Sequence, residues 1–196
     1  MGFLDRLLGR KPASAGRQRV IQAGPLPSKY VISQPRLGVL NLIGAAAASI
    51  KAEDVAAFGS KFRSIVEAVG QPPPCDVLLL NAGIGRDGKI EVTSSGLREI
   101  IRDAKAIIVL IATDNPPDSY MVAAKREAYG QANLVMTIER KGSAFPNFFE
   151  KLFQLMRQGM TMPVAWNELA PQIPGLEHKD CPGCIFACEC GQIGFG

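Results

Sequence analysis

Histidine and tryptophan are nearly absent: one of each occurs in 196 residues. The sole imidazole, His178, limits both metal centres built on several histidines and any mechanism that needs a histidine base. Long apolar runs are missing too. The bilayer core requires about 20 consecutive apolar residues, and the small apolar stretch from Gly44 to Ile50 is far too short. The N-terminus shows no apolar core followed by a cleavage site, so no secretory signal is read and a cytoplasmic location is expected. Thiols stay mostly reduced there, which argues against a disulfide framework for the five cysteines.

Positive charge is scarce where a nucleic-acid reader would need it. Residues 1–36 hold seven basic side chains against one acid, Asp5, whereas the remaining chain carries more acids than bases. Basicity thus belongs to an arm and not to a folded face with interleaved aromatics, and nucleic-acid binding is not expected.

What is present suits an ordinary globular domain. Apolar residues make up 47% of the chain and charged ones 20%, enough for one core and marginal for two. Residues 1–35 read as a basic arm and linker, and residues 36–196 as a single α/β domain. Within the arm, Phe3, Leu4, Leu7 and Leu8 share a helical face beside Arg6, Arg10 and Lys11. That pattern fits a docking helix, a weak contact with an anionic membrane surface, or association with a second copy.

From Arg36 strands and helices alternate. Leu37–Ile43, Asp76–Leu80, Ala106–Ala112 and Leu134–Ile138 are apolar runs suited to strands buried on both faces. Val55, Phe58, Phe62, Ile65, Val66 and Val69 fit one helical stripe, with Glu53 and Asp54 in its first turn. Three further helices are expected: one capped near Ser94 with Leu97, Ile100, Ile101 and Ala104, one from Pro117 to about Tyr129, and one carrying Phe149, Leu152, Phe153 and Met156 up to Gly159. Thr161 caps a last helix through Ala170, residues 171–182 are loop, and Cys184–Cys188 is a short strand. The alternation implies a mostly parallel central sheet with helices on both faces.

Ligands of such sheets bind beyond the carboxyl ends of the strands. Two loops leave those ends, Asn81-Ala-Gly-Ile-Gly-Arg-Asp-Gly88 and Thr113-Asp-Asn-Pro-Pro-Asp118. Their polar residues Asn81, Arg86, Asp87, Thr113, Asp114 and Asn115 form a candidate ligand-binding crevice. Asp114 and Asn115 equally suit turn hydrogen bonds before Pro116. Gly83, Gly85 and Gly88 match half of a dinucleotide fingerprint, but Lys89 to Thr93 intervenes before any helix, so a glycine turn competes with nucleotide binding.

These loops resemble the CHAT group of the caspase–separase clan of cysteine peptidases. In that group the second strand ends in a pattern like Ala-Gly-His-Gly and the third in one like Leu-Ser-Ala-Cys. Here Leu80-Asn-Ala-Gly-Ile-Gly-Arg86 stands for the first, with Ile84 at the histidine position. Val109-Leu-Ile-Ala-Thr-Asp114 stands for the second, with Thr113 at the cysteine position. The segment Leu134 to Gln172 is similar to the end of such modules. The resemblance implies a caspase-like three-layer sandwich whose catalytic dyad is gone. Isoleucine neither takes nor gives a proton, and a hydroxyl without a base is a poor nucleophile. Catalytic residues are therefore expected to be none, and the implied role is a non-catalytic binding or scaffold module for a protein or peptide.

Four of the cysteines crowd into Cys181-Pro-Gly-Cys184-Ile-Phe-Ala-Cys188-Glu-Cys190. No cofactor is required by the first reading, yet four thiolates would suit zinc or an iron–sulfur cluster. Only three residues separate the two pairs, fewer than in usual two-knuckle sites. On a strand, Cys184 and Cys188 would stand about 13 Å apart, too far for one ion. Buried structural thiols and a redox or intersubunit disulfide role are the other readings. Three functions therefore remain open: the binding module, a metalloprotein, and a small-ligand-binding or hydrolytic α/β enzyme using the crevice.

Overall fold

The computed structural model describes residues 30–45, 48–91, 93, 95–119, 132–140, 142–170 and 183–196. The arm 1–29, the body of the helix expected up to Tyr129, the loop 171–182, Ser94, His178 and Cys181 lie outside them.

Chain order is β1 (Tyr30–Ile32), β2 (Arg36–Asn41), α1 (Ala48–Phe58), β3 (Ser64–Ala68), β4 (Val77–Asn81), α2 (Leu97–Ala104) and β5 (Ile108–Ile111). Then come β6 (Asn133–Glu139), α3 (Ala144–Arg157), α4 (Met162–Leu169), β7 (Gly183–Cys188) and β8 (Ile193–Phe195). Pro117–Ser119 are helical, in keeping with proline's preset φ at a first helical turn.

Six strands form the main sheet in the order β3-β2-β4-β5-β6-β7. The first five run parallel and β7 is antiparallel to β6, so the sheet is mixed and mostly parallel. A second sheet has two strands, β1 and β8, paired in parallel. The central strands are buried throughout, which explains their unbroken apolar sequences.

Side chains alternate between two cores. Leu37, Val39, Val77, Leu79, Ile108, Leu110 and Val135 face α1, α3 and α4, while Leu40, Leu78, Leu80, Val109, Ile111, Leu134 and Met136 face α2. Helices therefore cover both faces. Each of these fully buried aliphatic side chains is worth about 1.5–3 kcal/mol of transfer free energy.

The structure corrects one expected helix. The stripe from Val55 to Val69 is not continuous: α1 ends at Phe58, residues Gly59–Lys61 form a single 3-10 turn, and Ser64–Ala68 is strand β3. Ile65, Val66 and Val69 are exposed, so their helical spacing was coincidental. Gly59 permits the reversal, since a Cβ there would lie 2.7 Å from Ile65 Cδ1. Glu53 and Asp54 are likewise not in a first turn, because α1 begins at Ala48. With β3 recognised, the strands read as second and third from the sequence become the third and fourth parallel strands. The other described helices, α2, α3 and α4, match within a few residues, α2 with Glu99 reaching back to the Gly96 N–H and α4 with Pro163 in its first turn.

Candidate functional site

The order β3-β2-β4 makes the chain leave β2 in one direction and continue from β4 in the other. The connections on the two sides carry α1 and α2 on opposite faces, which is a topological switch point. The switch lies between β2 and β4, and the loops after β4 and β5, the next pair along, meet at the same carboxyl edge of the sheet.

The loop after β4 doubles back on itself. Gly85 N–H donates to Lys89 O at 2.8 Å, Gly88 N–H to Gly85 O at 2.9 Å, and Glu91 N–H to Gly83 O at 3.1 Å. Asp87 Oδ1 accepts from Lys89 N–H at 3.0 Å, and Gly88 takes a φ of 78° that glycine alone adopts freely. The loop reverses where a dinucleotide fingerprint would enter a helix, and α2 starts only at Leu97. The glycines serve the turn.

Polar side chains then stitch the two loops. Asn115 Oδ1 accepts the Ile84 N–H at 2.9 Å, while its amide donates to Thr113 O at 2.8 Å. Thr113 donates its hydroxyl proton to Ala82 O. Ser119 Oγ lies 3.0 Å from Ile84 O and 3.1 Å from Gly85 O, sharing one proton between two carbonyls. Thr137 of β6 caps the Ile111 carbonyl at 2.9 Å. Asn115, Ser119 and Thr137 are buried, so these bonds act in a medium where an unmade one would cost about 1–3 kcal/mol.

Ile84 and Thr113 thus sit in loops that touch, although neither offers a base. Ile84 is fully buried among Leu80, Ile90, Leu97 and their neighbours. The Thr113 proton is committed to a carbonyl. Asp114 is exposed and its Oδ1 accepts the Arg140 N–H, while Arg86 and Asp87 stand exposed at the tip of the β4 loop. Asn115 is more than a turn former because it bonds across loops. Asn81 departs furthest from its expected place. It is completely buried on the α1 face and is not at the crevice mouth.

Sequence reasoning overlooked a buried ion pair. Asp54 of α1 receives a hydrogen bond from Arg140 Nη2, with Arg140 also lying 5.2 Å above the Phe145 ring. Burial outweighs the nearby guanidinium and pushes the Asp54 carboxyl up to about 6. The partners are far apart in sequence, so no local spacing announces them.

The cysteines take several settings. Cys75 is buried at the amino end of β4, and desolvation pushes its thiol up to about 12. On β7, Cys184 lies opposite Thr137 and Cys188 opposite Asn133, so the strand separates them by about 13 Å at ~3.3 Å per residue. Asn133 Oδ1 accepts the N–H groups of Glu189 and Cys190 at 3.1 and 3.0 Å, shaping the turn between β7 and β8. Burial raises Cys190 to about 11. Among the described residues no three His, Cys, Asp or Glu side chains converge as a metal site. Cys181 lies outside them. No helix among those residues is long and apolar enough to cross a membrane.

No protein-family model matches this chain, and no curated protein matches it.

Proposed function

We infer that this domain is a catalytically silent, caspase-like module that binds a protein or peptide segment at the crevice between the β4 and β5 loops. One observation carries the reading. The two positions that the resemblance pairs, Ile84 and Thr113, lie in loops joined by Asn115 and by the Thr113 hydroxyl, yet one is a buried aliphatic and the other donates its proton to Ala82 O. A thiolate–imidazole mechanism has no atoms to run on there. The mostly parallel sheet with helices on both faces agrees with the sandwich that the resemblance implies.

Recognition falls to the exposed rim. Arg86, Asp87 and Asp114 present a guanidinium and two carboxylates near the loop tips. These suit a polar segment carrying both signs of charge. The stitched backbone beneath them keeps the rim in place, so little ordering would oppose binding.

Peptides selected from a random display library on the parent protein provide the test. Arg86→Glu should weaken the selected peptides by roughly tenfold, which corresponds to about 1.4 kcal/mol. Asp114→Asn should weaken them less, because it keeps the acceptor that holds the Arg140 N–H. Cleavage of a fluorogenic peptide that vanishes in Thr113→Ala would refute the silent-enzyme reading. Unchanged affinities in Arg86→Glu would refute the rim.

A further inference from the structure

Among the described residues, four buried side-chain atoms find no hydrogen-bond partner: Asn81 Oδ1 and Nδ2, Asp54 Oδ2 and Arg140 Nε. They belong to three side chains, none more than 8% exposed. Sequence separates these residues widely, but the fold turns them to one face of the sheet. Asn81 ends β4 with the same facing as Val77 and Leu79, towards α1 and α3. Asp54 is the buried polar residue of α1, and Arg140 follows β6 and reaches back to it. All four atoms lie in the layer between the sheet and these helices, at the carboxyl ends of the strands.

Chance does not easily leave a protein in that condition. An unpaired buried amide or hydroxyl forfeits its bonds to water and a charged group forfeits more, so native interiors satisfy nearly all such atoms. The chemistry here is balanced as well. Asn81 offers one donor and one acceptor face, Asp54 adds an acceptor, and Arg140 Nε adds a donor. The ion pair is neutral as a unit. An anion would face the Asp54 carboxylate and a cation the Arg140 guanidinium, so the complementary occupant is uncharged and both donates and accepts.

A route from solvent lies next door. Asn41 is the register partner of Asn81 and shares its facing. It lines a cavity of about 380 Å³ with Val39, Gly44, Ala48 and Lys51, between α1 and the carboxyl ends of β2 and β3. Asn41 itself is held by local bonds to Ile43 N–H and Gly44 O.

We propose that the polar layer beneath α1 is an internal hydration site, in which ordered water molecules complete the hydrogen bonding of Asn81 and of the Asp54–Arg140 pair. Water has the required dual character, and each buried molecule typically makes about three hydrogen bonds, so one or two suffice for these atoms. The bound water completes the interior of the switch point. It also gives α1 a wet contact at Asp54, one turn before the dry contact of Phe58.

The full chain, labelled with ¹⁵N at asparagine and arginine, permits a direct test by NMR. Long-lived water should give cross-relaxation peaks to the Asn81 side-chain amide and to Arg140 Nε–H. A crystal structure should place density 2.7–3.2 Å from those atoms, at ordinary hydrogen-bond distance. Absence of water peaks at both groups would overturn the proposal. So would density for a larger molecule, or an Asn81 side chain bonded to protein groups alone.

Discussion

The two faces of the central sheet are built from different materials. The face under α1, α3 and α4 buries seven phenylalanines, namely Phe58, Phe62, Phe145, Phe148, Phe149, Phe153 and Phe195. The face under α2 buries Leu, Ile, Val, Ala, Met and Cys75, and the described residues give it no aromatic ring. The aromatic face also carries the buried polar layer at its carboxyl edge, whereas the aliphatic face seals the base of Ile84. Thick rings fill space between helices and sheet while leaving room at their margin, and branched aliphatics let backbone and loop approach closely. The first face therefore has depth and the second has fit.

Removing a ring should break that contrast most strongly. Phe153 stacks on Phe195 at 5.7 Å and meets Phe62 edge-on at 5.0 Å. Phe153→Ala should cost about 3–5 kcal/mol in urea unfolding, and Leu97→Ala on the other face about 2–5, with the ring deletion the larger of the two. Equal losses would mean that the aromatic layer packs no more densely than its counterpart.

The pH dependence of the aromatic face comes next in size. Folded Asp54 keeps its proton up to about pH 6, while the unfolded carboxyl releases it near its ordinary 3.8. Between these values the folded state holds the extra proton, so the Asp54 contribution is best below about pH 4 and is lost as pH rises through 6. The loss is on the order of 3 kcal/mol. Asp54→Asn keeps an acceptor for Arg140 and should flatten this part of the curve, as read from the stability difference between parent and variant from pH 4 to 7. A parallel pair of curves would place the charged carboxylate in a better-solvated setting than its burial implies.

The smallest effect probes the tight face. A Cβ on Gly38 would stand 2.5 Å from Cys75 Sγ and 2.9 Å from its Cβ. Gly38→Ala should destabilise by about 1–3 kcal/mol, with partial rescue in the double variant that adds Cys75→Ala. Additive effects would show that the two positions do not press on each other.

Legibility in the sequence followed burial. Val77–Asn81 and Ile108–Ile111 announced themselves because strands covered on both faces are apolar throughout, and Gly159 marked the end of α3 with its φ of 98°. Strand β3 hid because an edge strand exposed on both sides needs no alternation, and Ile65, Val66 and Val69 happened to continue the phase of α1. Strands β1 and β8 are three residues each, too short for any period. At the site the loops were readable from their glycines and prolines. The stitching by Ser119 and Thr137 and the Asp54–Arg140 pair were not, since each joins segments that only the folded sheet makes neighbours.

The parallel pairing of β1 with β8 has a temporal consequence. Tyr30 lies opposite Ile193, so the partner of an early strand is synthesised about 160 residues later, and contacts of such range are slow to form. While a ribosome extends the chain, β1 waits for this partner until all six strands of the main sheet have emerged. The small sheet then works as a latch that closes after the main sheet, and a nascent chain halted before residue 193 would carry the main sheet with β1 still unclaimed.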